Sequence, residues 1–252
     1  LEEYNEKKHA EVAQLFGQMN FNTLAGPVCI SDTSDSQIEG NQSLVLDLGG
    51  SDTYTGITAV PRNLANPIST VVDLAGNDRY VNEDDEAAIA CGLFGMGSVY
   101  DLSGNDFYHN EESGIGCGWY GTGLVMDFAG NDKYRTDYSW SQGAGHFGAG
   151  MLIDLAGDDD YFCGTESQGF GSTLGVGLIL DATGDDSYRG SDTARLSEPF
   201  NDRPISFAQG AGFGRRADYG DGHSLAGGVG ILVEGAGDDD YYGNIYSQGC
   251  AY

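Results

Sequence analysis

The sequence predicts an all-β fold, a parallel β-solenoid read as a right-handed β-helix of about 27 residues per rung with a short N-terminal helix, and three observations carry that reading. One short unit returns seven times, as LVLDLGGSDTY, VVDLAGNDRY, VYDLSGNDFY, VMDFAGNDKY, LIDLAGDDDY, LILDATGDDSY and LVEGAGDDDY. Its copies keep a nearly fixed period, the mark of a chain whose units bury their faces only by stacking on one another. Glycine supplies 41 of the 252 residues and recurs every second position in stretches such as GAGHFGAG (143–150), which opposes a helix and suits tight turns and close backbone approach.

Counted from the acid that ends each apolar run, the copies begin at Asp47, Asp73, Asp101, Asp127, Asp154, Asp181 and Glu234, at intervals of 26, 28, 26, 27, 27 and 53 residues. The last interval is about double. A second landmark, Gln-Gly at Gln142, Gln168, Gln209 and Gln248, resolves it into one coil carrying two excursions, near 192–204 and 214–226. Within a copy, Leu44, Leu46 and Leu48 point to one side while Val45 and Asp47 point to the other, the alternation of a strand. About 27 residues accommodate three short strands with their turns, and seven rungs at 4.8 Å make a rod roughly 35 Å long.

The expected organisation is residues 1–25 as an N-terminal cap or linker and 26–252 as the solenoid. In the first of these, Leu1, Tyr4, Val12, Leu15, Phe16 and Met19 recur at helical spacing among charges, as for a helix covering the first rung. The segment SQGCAY at the C-terminus opens a further rung, so the expectation is a longer parent chain. No run of about 20 apolar residues offers a membrane span.

Acids outnumber bases 39 to 11, for a net charge of −28, which argues against nucleic acid and anionic lipid as partners and makes cations the natural counter-species. The acids are concentrated in the repeat. Stacking places the seven origin acids in one column and Asp52, Asp78, Asp106, Asp132, Asp159, Asp186 and Asp239, five residues on, in another. Asp158, Asp185 and Asp238 add to the intervening position. Two unit charges one rung apart repel by roughly 3 kcal/mol at an effective dielectric of 20. Arg79 and Lys133 are the only bases inside the motifs, so hard divalent cations are the candidate neutralisers, and Gly-rich turns can add carbonyl oxygens. The competing reading is that each Asp caps its own turn by accepting backbone N–H bonds, with no metal.

The segments GNDRY, GNDFY and GNDKY resemble part of the RTX nonapeptide, whose Gly-Gly-x-Gly-x-Asp loops bind Ca²⁺ in a parallel β-roll. That family repeats every nine residues, whereas this chain carries one such loop per rung. The resemblance implies Ca²⁺ in the turn, at Asp52, Asp78, Asp106, Asp132, Asp159, Asp186 and Asp239, without implying the β-roll itself. The chain also resembles bacterial Gly/Asp-repeat proteins with Gln-Gly-x-Gly and Gly-Asn-Asp-x-Tyr units, which implies architecture and no activity.

Tyr54, Tyr80, Tyr108, Tyr134, Tyr161, Tyr188 and Tyr241 lie seven residues after the origins and are expected to stack between rungs, with a carbohydrate-binding strip as the alternative. Cys91 and Cys117 occupy equivalent places in consecutive rungs, within disulfide reach. Arg195, Arg203, Arg215, Arg216 and His223 in the excursions form a possible ligand-binding lobe, but no nucleophile-base set accompanies them. The functional expectation is therefore a calcium-stabilised module, extracellular or at the cell surface, with a structural, adhesive or assembly role, partnered by divalent cations and by copies stacked end to end. A polysaccharide-binding or polysaccharide-cleaving β-helix acting through residues 192–226 is the alternative.

Overall fold

The computed structural model describes residues 17–61, 63–84, 87–193, 204–214 and 223–251. Among them there is no helix, and hence none long and apolar enough to cross a membrane. The chain winds as a β-solenoid whose motif strands, Leu44–Asp47, Ile68–Asp73, Met96–Asp101, Thr122–Asp127, Ala149–Asp154, Val176–Asp181 and Val229–Glu234, are successive parallel neighbours in one sheet. Their register is that of the motif, with Asp47 opposite Asp73 and Asp181 opposite Glu234. The second pair is 53 residues apart in sequence yet adjacent in space, as two excursions from a single coil require.

A second parallel sheet collects the tyrosine strands, among them Arg79–Asn82, Phe107–Asn110, Lys133–Ser139 and Asp160–Thr165. A short third side is formed by Gly92–Leu93, Gly118–Trp119 and Gly145–His146, and isolated bridges through Gly171, Gly212 and Ala251 carry it onward. The Gln-Gly landmark closes the coil between the second and third sides. Gln142 and Gly143 both adopt left-handed φ, 49° and 74°, which turns the chain inward. The buried Gln142 amide then donates to the carbonyls of Tyr134 and Phe162, at 3.1 and 2.7 Å. Gln168 and Gln209 make the same two-rung bridges.

Each motif strand turns its valine-type column and its acid inward and its leucine-type positions outward. Val45, Val71, Val99, Val125, Leu152 and Ile179 are buried and share one core with the tyrosines, while Leu46, Met126 and Ile153 remain half-exposed. Cys91 and Cys117 are buried in equivalent places with sulfurs 2.8 Å apart, as free thiols.

The N-terminus departs from expectation. Residues 1–16 of the expected helix lie outside the described residues, and Met19–Thr23 is a strand, paired antiparallel with Gly26–Ser31. Its residues MNFNT alternate apolar and polar, a strand period, and the hairpin covers an edge of the first sheet that would otherwise expose unpaired N–H and C=O groups. Gly26–Ser31 is itself an additional rung, parallel to Leu44–Asp47 with Ser31 opposite Asp47. Most of both excursions lies outside the described residues, including Arg195, Arg203, Arg215 and Arg216; His223 is described and exposed.

Candidate metal centre

The corner between the first and second sheets carries three inward-facing side chains per rung. They are the origin acid, the acid five residues on and the tyrosine seven residues on. Asp47, Asp73, Asp101, Asp127, Asp154 and Asp181 are 0 % exposed, and Asp52, Asp78, Asp106, Asp132, Asp159 and Asp186 are 1–3 % exposed. Carboxylates are almost never this buried unless paired or bound to a metal.

Hydrogen bonds account for part of this burial. The Oδ1 of Asp47, Asp73, Asp101, Asp127 and Asp154 accepts the backbone N–H two residues on, at 3.1–3.3 Å, which is the turn-capping role. The Oδ2 of the origin acid accepts the phenol of the preceding rung. Tyr54 donates to Asp73 at 2.6 Å, Tyr108 to Asp127 at 2.8 Å and Tyr134 to Asp154 at 2.6 Å. The rings also stack face to face, Tyr54 on Tyr80 at 4.5 Å and Tyr161 on Tyr188 at 4.5 Å. Stacking between rungs is thus observed, and because Tyr54 through Tyr188 are 0 % exposed, they form no carbohydrate strip. A Tyr134→Phe variant keeps the stack and strips Asp154 of its phenol, so urea unfolding should show a loss of about 1–3 kcal/mol; an unchanged midpoint would mean the hydroxyl is dispensable.

The second acid column has a different pattern. Its Oδ1 atoms accept backbone N–H bonds from the preceding rung, Asp78 N–H to Asp106 at 2.6 Å and Asp106 N–H to Asp132 at 2.6 Å. Its Oδ2 atoms, in Asp52, Asp78, Asp106, Asp132, Asp159 and Asp186, are buried and meet no hydrogen-bond partner. The acids that carry these orphaned oxygens lie among other carboxylates. One oxygen from each of Asp127, Asp132 and Asp154 falls within 4.8 Å of the others, and the same holds for Asp47, Asp52 and Asp73, for Asp73, Asp78 and Asp101, for Asp101, Asp106 and Asp127, and for Asp154, Asp159 and Asp181. Oxygens on opposite sides of a Ca²⁺ shell are about 4.6–5.2 Å apart, given Ca–O distances of 2.3–2.6 Å. The spacing therefore fits a shared cation.

Burial first, and the charges of neighbouring carboxylates after it, raise these acids far above the ordinary carboxylate range, against backbone and phenol hydrogen bonds that pull them down. Desolvation holds Asp52 near 6, and with the charges of Asp73 and Asp101 it lifts Asp78 to about 8 and Asp106 to about 9. Asp132, at the centre of the column, reaches about 10 for the same reasons, and Asp186 near its end falls back to about 7. The middle of the stack is the least solvated and has like charges above and below. A column in this state must take up protons or cations.

The glycine three residues after each origin makes the corner possible. A Cβ at Gly130 would lie 1.6 Å from the Gly104 carbonyl and 2.7 Å from Asp132 Oδ1. Only glycine lets the rungs close to this distance while the second acid folds in beneath it.

The structure thus brings together twelve of the thirteen aspartates expected as ligands, from Asp47 to Asp186, in two facing columns. The thirteenth, Asp239, is half-exposed on the last rung and accepts the Asp186 N–H at 3.1 Å. Asp158, Asp185 and Asp238 lie apart from these columns, on an exposed ladder where each N–H bonds the side chain one rung back, as from Asp185 to Asp158 at 3.0 Å. Two features escaped the sequence reading. The phenol's role was signalled by seven tyrosines and no phenylalanine at a position where either would stack. The first rung, CISDTSDSQIE, was hidden because Ser31, Ser36 and Ile38 replace both acids and the tyrosine. There the Ser31 and Ser36 hydroxyls bond each other at 2.8 Å, so the backbone makes this corner without either carboxylate.

No known protein family, curated protein or solved structure matches the chain.

Proposed function

We propose that this chain is a structural repeat module, extracellular or at the cell surface, whose two interior acid columns are neutralised by divalent cations, Ca²⁺ foremost, and which serves an assembly or adhesive role. The observation that carries the reading is the row of buried, partnerless Oδ2 atoms from Asp52 to Asp186, on acids that from Asp52 to Asp159 each offer an oxygen within 4.8 Å of two further carboxylates. Backbone N–H groups, of the same turn in one column and of the preceding rung in the other, account for the Oδ1 atoms except that of Asp181 and leave the Oδ2 row unexplained. Charge balance supports the same assignment, since two carboxylates per rung match one divalent cation per rung. Asp127, Asp132 and Asp154 exemplify the ligand set. The ion would supply charge neutralisation and cross-rung bonding to oxygens that have no other partner. The likeness of the turns to RTX loops favours Ca²⁺, and a millimolar Ca²⁺ environment would complete folding by mass action.

Thermal unfolding followed by circular dichroism tests it, first in excess EDTA and then with Ca²⁺ or Mg²⁺ added separately. The expected result is a β spectrum that gains tens of degrees with Ca²⁺ and far less with Mg²⁺, which resists giving up its water. Equal stability in EDTA would sink the reading.

A further inference from the structure

The outer surfaces of the two long sheets differ sharply. All Lys and Arg residues among the described positions, Arg79, Lys133, Arg135 and Arg189, stand on the outer face of the tyrosine sheet. The outer face of the motif sheet has no charged residue at any outward strand position from Leu44 to Val233, in a chain of net charge −28. Its centre is built from Leu124, Met126, Met151, Ile153, Leu178 and Leu180, all half-exposed, and Ile68 and Val229 at its margin are 56 % exposed each.

Strands apolar on both faces are those of a parallel sheet covered on both sides, whereas one side of this sheet is covered by the solenoid's own core. The face is also flat. Successive tyrosine rings are inclined by only 1–11° from Tyr54 to Tyr241, so the rungs superimpose with little twist. Untwisted sheets of this extent are typically held by stacking or by side-chain ladders.

We propose that this face is the seat of a second copy of the chain, the two solenoids packing sheet against sheet about a two-fold axis. Size supports the choice. Six-residue strands at 3.3 Å per residue, seven strands deep at 4.8 Å, give a footprint of about 20 by 29 Å, so two such faces cover about 1,200 Å², the lower bound of a specific interface. Charge supports it as well: on a face without charges two strongly acidic chains meet without bringing like charges together. An isologous contact uses the same patch twice and closes as a dimer, leaving the rod ends free. This names a partner for the assembly role proposed above, on a face separate from the acid columns.

Sedimentation velocity over a concentration series, in millimolar Ca²⁺, is the test. The expected species has twice the chain mass, and a Met126→Lys/Leu178→Lys variant should run at the chain mass with an unchanged thermal midpoint. Hydroxyl-radical footprinting of the wild type gives a reading independent of the variant's folding, because Met96, Met126 and Met151 lie on this face while Tyr138, 57 % exposed, lies on the tyrosine-sheet strand Lys133–Ser139. Oxidation of the three methionines should fall several-fold between dilute and concentrated samples while that of Tyr138 holds. A wild-type monomer at all concentrations, a dimer that survives the variant with equal methionine oxidation throughout, or association only with lipid vesicles would overturn the proposal. Since Ca²⁺-dependent melting is measured separately, failure here would leave the cation reading standing.

Discussion

In excess EDTA the fold should lose stability as pH rises, and in saturating Ca²⁺ it should gain it. The buried acids have folded-state values raised above the unfolded carboxylate value of about 3.9, from about 6 at Asp52 and Asp181 to about 10 at Asp132. Without cations the folded chain binds more protons than the unfolded chain across this window. Stability is then fully present below about pH 4 and is drained as pH climbs, the outer rungs ionising first and the central rungs last. With Ca²⁺ the order of events inverts, because the ion binds carboxylates and must displace their protons. Urea unfolding at about pH 5, 7 and 9, with and without Ca²⁺, should give slopes of opposite sign. Parallel slopes in the two conditions would show that protons alone settle the columns.

Replacing Gly130 by valine should unfold the protein or cost it more than about 4 kcal/mol, an exceptional loss for one substitution. The added Cβ would meet the Gly104 carbonyl at 1.6 Å and Asp132 Oδ1 at 2.7 Å. Neither can step aside, since one is backbone and the other is pinned by the Asp106 N–H at 2.6 Å. Gly227→Ala is the matched control: its nearest neighbours lie at 3.5 Å, an ordinary contact, and its midpoint should move by less than about 1 kcal/mol. A tolerated valine at Gly130 would mean that the rungs pack less closely at this corner than the structure shows.

The fold was legible because a solenoid writes its register into its period. Intervals of 26–28 residues between Asp47 and Asp181 specify which residues stack, and the Gln-Gly landmark located the coil that breaks the count. The sequence could not show which side of the alternating strands faces inward. Leucines at 44, 46 and 48 are the more apolar choice for a core, yet Val45 and Asp47 take it, because the corner needs the acid inside, where turn N–H groups and a phenol reach it. Nor was the first rung visible, since Ser31, Ser36 and Ile38 share geometry with the motif and none of its letters. The N-terminal expectation was misled by Met19, which fits the helical spacing of the preceding residues as well as the alternation of MNFNT. In the site, the two columns could be read from spacing alone. The division of labour between capped Oδ1 and orphaned Oδ2 atoms could not, because it depends on which backbone N–H groups the turn presents.

Native mass spectrometry of the chain refolded with Ca²⁺ and exchanged into a volatile buffer counts the ions in the acid columns. About six Ca²⁺ per folded chain are expected, one for each rung-to-rung interval from Asp47 to Glu234, lost together on unfolding. A folded chain of unaltered stability that carries no bound divalent ion would contradict the cation reading and leave the acid columns to shared protons.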